Sequence, residues 1–71
     1  MLITGTVEKV DIGAGVFVLK GDNGTTYELR GDRSIVKQTG KHVEIAGDVD
    51  GNAVSAGMVG PILKVNTFKV L

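Results

Sequence analysis

Apolar and polar positions alternate along much of this chain with the period of two that belongs to strands burying one face. Residues 2–11 read as a long first strand, rich in Val and Thr and poor in helix formers. Gly5 sits inside it, where a glycine marks a bulge or bend. A bent first strand suits a small barrel, because one strand must then pair with different neighbours at its two ends. Residues 11–15, Asp-Ile-Gly-Ala-Gly, form a loop.

The clearest signal follows. Val16 to Lys20 and Thr25 to Arg30 flank Asp22-Asn23-Gly24, a triplet suited to a three-residue hairpin loop closed by a left-handed glycine. Pairing Gly21 with Thr25 sets Leu19 opposite Tyr27 and Phe17 opposite Leu29. These four large residues share one face and are expected in the core. Val16, Val18, Lys20, Thr26, Glu28 and Arg30 share the other, which the pattern assigns to solvent.

Asp32 is placed to cap a short helix over residues 33–39, with Ile35 and Val36 inward and Gly40 as its stop. Two turns cannot stand alone in water, so this helix must plug something. Residues 41–49 return to strand character with Val43 and Ile45 inward, and Asp50-Gly51 is a tight-turn signal. Residues 52–57 are expected to pair back along that strand. Gly60-Pro61 interrupts, and residues 62–70 form the last strand with Leu63 and Val65 inward. After Asn66 the apolar parity switches to Phe68 and Val70, which predicts a bulge there.

Three strands, a short helix, then two or more strands is the order of the OB-fold. Gly5-Thr6-Val7, the run from Asp22 to Leu29, Gly40-Lys41-His42-Val43-Glu44-Ile45 and Gly60-Pro61-Ile62-Leu63-Lys64-Val65 together resemble small bacterial OB-like proteins of unknown function. The resemblance implies one all-β domain over residues 1–71: a five- or six-stranded OB-like barrel with a helix between its third and fourth strands. An SH3-like barrel is the alternative, disfavoured by that helix. Neither cold-shock proteins, with aromatic-rich RNA-binding motifs, nor bacterial initiation factor one, a more basic family, fits the residues.

Composition narrows the picture. A chain of 71 residues buries only about 60% of its unfolded surface, so its stability is modest. It has no cysteine and one histidine, too few for a disulfide staple or a structural zinc site. Eight basic residues balance eight acidic ones, leaving no global field to attract nucleic acid or anionic lipid. No apolar run approaches the roughly 20 residues of a membrane span, and the start lacks a signal-peptide pattern. A soluble, cytoplasmic chain is the expectation.

Candidate chemistry is sparse. Asp48-Val49-Asp50-Gly51-Asn52 opens like a calcium loop, but Ala53 and Val59 stand where glycine and a bidentate glutamate are required. Gly13-x-Gly15 fails as a dinucleotide fingerprint because no helix follows it. His42 takes outward parity beside Glu44, and neither Ser34 nor Ser55 has a base nearby in sequence. No enzymatic activity, cofactor or metal is expected.

The OB surface used for ligands is the outer face of strands two and three with its flanking loops. The expected role is a non-enzymatic binding or interaction module acting through that face. Val16, Val18, Lys20, Thr26, Glu28 and Arg30, with Lys41, are its candidate residues. Val16 and Val18 beside Ile12 form an apolar patch for a protein partner or self-association. Single-stranded nucleic acid, held by Lys20, Arg30 and Lys41, is the alternative. It is disfavoured because Phe17 and Tyr27 point inward and Glu28 opposes phosphate. Two lost stacking platforms remove about 2–6 kcal/mol from such a complex.

Overall fold

The computed structural model describes residues 1–11, 15–50 and 60–71. It contains β1 (Leu2–Val10), β2 (Val16–Gly21), β3 (Thr26–Gly31), a 3₁₀ helix (Arg33–Gln38), β4 (His42–Asp50) and β5 (Ile62–Val70). The strands close into a barrel in the order β1-β2-β3-β5-β4 and back to β1. Closure gives each described strand two neighbours, so none of them lies at a fully open edge. The all-β barrel expected from the alternation is therefore the fold. The expected strand at 52–57 and the Gly51 half of the Asp-Gly turn lie outside the described residues.

β1 does what its glycine predicts. Residues Gly5 to Val10 pair with β2 and residues Leu2 to Thr6 pair with β4, so Gly5 and Thr6 belong to both ladders. A methyl group at Gly5 would run into the Lys20 carbonyl, so only glycine lets β2 approach this closely. The β2–β3 hairpin adopts the expected register, Leu19↔Tyr27 and Lys20↔Thr26. The Gly21 amide donates to the Thr25 carbonyl at 2.9 Å. Within the turn, Asn23 accepts from the Thr25 amide at 3.0 Å and donates to the Tyr27 hydroxyl at 3.1 Å. The one polar atom of the buried Tyr27 ring is thus satisfied.

The core holds Ile3, Val7, Leu19, Tyr27, Leu29, Ile35, Val43, Ile45, Leu63 and Val65. All but Ile35 come from inward strand positions, and each fully buried one contributes about 1.5–3 kcal/mol through lost contact with water. Asp32 caps the helix through the Ser34 amide, as expected, and Ile35 is its buried residue. The helix is 3₁₀ rather than α, consistent with a segment this short. On β5 the pairing jumps from Ala46↔Thr67 to Gly47↔Val65. Asn66 is the extra residue, which is the bulge the parity switch predicts. Among the described residues, no helix is long and apolar enough to cross a membrane.

Candidate functional site

The face proposed from parity is not the solvated wall it was expected to be. Val18 is fully buried and Glu28 is only 2% exposed, although both point away from the barrel core. Val18 pairs with Glu28, and Glu28 pairs with the equally buried Ile62 on β5. A row of covered residues therefore crosses the outside of β2, β3 and β5. Val16 and Thr26 are half-buried, while Lys20 and Arg30 are exposed. Lys20 reaches Glu8 on β1 at 3.4 Å. Lys41 is exposed just before β4, where its carbonyl accepts from the Val7 amide. The apolar patch expected around Val16 and Val18 is thus closed at Val18, and Ile12 lies outside the described residues.

Glu28 meets Arg30 on its own strand, Nε to Oε2 at 3.0 Å. The glutamate side chain is buried and the arginine half-exposed, so this pair anchors the guanidinium through its Nε edge.

The hollow of the molecule lies at one end of the hairpin. The β2–β3 register stops at Val18↔Glu28. Beyond it, Val16 and Phe17 stay paired with Val10 and Lys9 of β1, while Leu29, Arg30 and Gly31 stay paired with β5. The two strands therefore part company. Gly31 then turns the chain out of the sheet at φ +98°, with its Cα close against the Val65 backbone, a conformation and a space that suit only glycine. The helix that follows folds across the opening.

A cleft of about 570 Å³ results, lined by Phe17, Leu29, Ile35 and Val36 with Arg30 and Arg33 among its polar residues. A smaller hollow of about 230 Å³ adjoins it along the seam between Val16-Phe17 and Glu28-Arg30. Phe17 lines both and is half-buried. The expectation that both aromatic rings fill the core holds for Tyr27, 6% exposed, and needs correction for Phe17. Its parity is inward, but it is the first inward residue of β2, beside the strand's open end, so its ring lies at the barrel mouth.

The acids beside this cleft are already engaged. Asp32 accepts from the Ser34 hydroxyl at 2.7 Å and the Ser34 amide at 3.0 Å. These bonds, the hydroxyl's first, hold its carboxyl below the ordinary aspartate range. Glu28 is bonded to Arg30. Arg33 has no ion pair among the described residues. Lys9 pairs across the ladder with Phe17, and its side chain passes over Gly15 at the same mouth. Sequence reasoning missed Phe17, Leu29, Arg33, Ile35 and Val36 as a group. The available signal was positional: an aromatic at the first inward place of a strand, and apolar helix residues charged with closing that end.

The remaining candidates do not assemble into chemistry. His42 Nε2 lies 2.8 Å from Asp22 Oδ2, both side chains about half exposed. Hydrogen bonding from His42, and then from the Thr4 side chain, holds the Asp22 carboxyl below its ordinary range. Ser34 is committed to Asp32, and Ser55 lies outside the described residues. Among the described residues, no three His, Cys, Asp or Glu side chains are grouped to hold a metal ion.

A family model described as a protein of unknown function, DUF5818, matches residues 4–65. No curated protein and no solved structure matches the chain.

Proposed function

The chain belongs to DUF5818, a family of unknown function, and we propose that it is a non-enzymatic binding module on an OB-like barrel. Its ligand sits in the cleft between the parted ends of β2 and β3 and the 3₁₀ helix. The order β1-β2-β3-β5-β4 with a helix after β3 supports the OB-like reading.

One observation carries the assignment of the site. Phe17, Leu29, Ile35 and Val36 line, together with Arg30, Asp32 and Arg33, a space of about 570 Å³, within the range of small-molecule sites. The flat outer face of β2 and β3 is the weaker choice, because Val18 and Glu28 are closed to solvent. The same closure counts against laying a nucleic-acid strand there, since stacking needs exposed platforms.

Amide NMR spectra of the labelled protein, titrated with a small-molecule fragment mixture, test this reading. Shifts are expected to cluster at Phe17, at 29–31 and at 33–36, with every fragment recovered unaltered. Shifts clustering on β4 and β5, around Glu44 and Lys69, would overturn it.

A further inference from the structure

Resting on the cleft reading, we infer that the ligand is a planar aromatic group carrying a phosphate, about the size of a mononucleotide. The apolar lining supplies one half of the argument. Among the described residues Phe17 is the only aromatic side chain lining the cleft, and it is half-buried at the mouth. A ring held this way presents a surface on which one flat group can stack, and among the described residues no second aromatic lines the space to continue a stack. One ring, not a strand of bases, is what the site accommodates.

The rim supplies the other half. Glu28 takes the Nε of Arg30, and Asp32 takes the two donors of Ser34. Both Ser34 bonds fall on Oδ1 of Asp32, so among the described residues the rim keeps one carboxylate oxygen against the remaining nitrogens of Arg30 and the whole guanidinium of Arg33, and donors predominate. Lys9 adds a third cation beside Phe17. Guanidinium groups present planar forks that match phosphate oxygens two at a time. Two such forks in one apolar-lined cleft fit a dianion joined to a ring better than a neutral hydrophobe or a long-chain acid.

Titration of the intact protein with phenyl phosphate and adenosine 5′-monophosphate tests the inference, with phenol, adenosine, inorganic phosphate and dodecanoate as comparisons. Phenyl phosphate and the nucleotide are expected to shift the cleft amides at least tenfold more tightly than the ring or the phosphate alone. Phe17→Ala and Arg33→Gln should each weaken that binding about tenfold and leave the urea midpoint nearly unchanged. Dodecanoate or phenol shifting the cleft amides while both phosphates fail would overturn the ligand class and leave the cleft standing. No probe shifting those amides, at millimolar concentration, would overturn the class and the cleft together.

Discussion

Leu19 and Phe17 stand two places apart on β2 with the same inward parity, yet they do different work. Leu19 is fully buried within the core cluster, whereas Phe17 lies half-buried at the mouth. Truncating a buried leucine loses its transfer free energy and leaves a cavity that the neighbours only partly fill. Leu19→Ala should therefore cost about 2–5 kcal/mol in urea unfolding. A loss below about 1 kcal/mol would mean that the barrel interior tolerates the gap and that this face was assigned wrongly. At residue scale the inward set was legible from alternation alone, at Leu19, Tyr27, Val43, Ile45, Leu63 and Val65. The exposure of Phe17 was not, because period two reports which way a side chain points and not whether anything lies in front of it.

Between elements, the Asp22–His42 contact joins the β2–β3 turn to the start of β4. The Asp22 amide also donates to the Thr4 carbonyl on the intervening β1, at 2.9 Å. Three elements thus meet at one aspartate. Its carboxyl is held below the ordinary range by His42 first and Thr4 second, so the folded protein releases this proton more readily than the unfolded chain. The resulting stabilisation is present above the unfolded pKa and is lost as pH falls through the folded one. Urea midpoints of the wild type and of Asp22→Asn should differ near pH 5 and converge as pH drops below about 4. A difference that persists unchanged to about pH 3 would show that the carboxylate charge contributes nothing to the join. The bulge at Asn66 and the capped helix were readable from sequence because each is a local pattern. This three-way contact was not, since Asp22 and His42 are separated by twenty positions and only the β1 ladder brings them together.

At the scale of the whole molecule, the barrel depends on distant pairings. β1 closes against β4, and β3 runs parallel to β5 across the helix and β4. Loop closure must precede the stabilisation these ladders provide, which slows folding relative to helical domains of the same length. Refolding on the millisecond-to-second scale typical of such barrels is expected. Tyr27, the single tyrosine in a chain without tryptophan, offers a stopped-flow fluorescence probe from inside the core. Complete refolding within microseconds would contradict the non-local order of assembly. Charge acts weakly at this scale: eight basic and eight acidic residues cancel, so a ligand is recognised by the local donors of the mouth and not drawn in by a long-range field.

The chain by itself determined the five described strands, the hairpin register, the cap at Asp32 and the bulge, because each follows from side-chain direction or turn chemistry within a few residues. Tertiary structure alone decided that Val18, Glu28 and Ile62 are covered on the outside of the wall. It also decided that β2 and β3 separate after Val18↔Glu28 to leave a hollow beneath the helix. Both outcomes arise where a twisted sheet closes on itself. A strand there must follow one neighbour or the other, and which residues end up covered depends on segments far away in sequence.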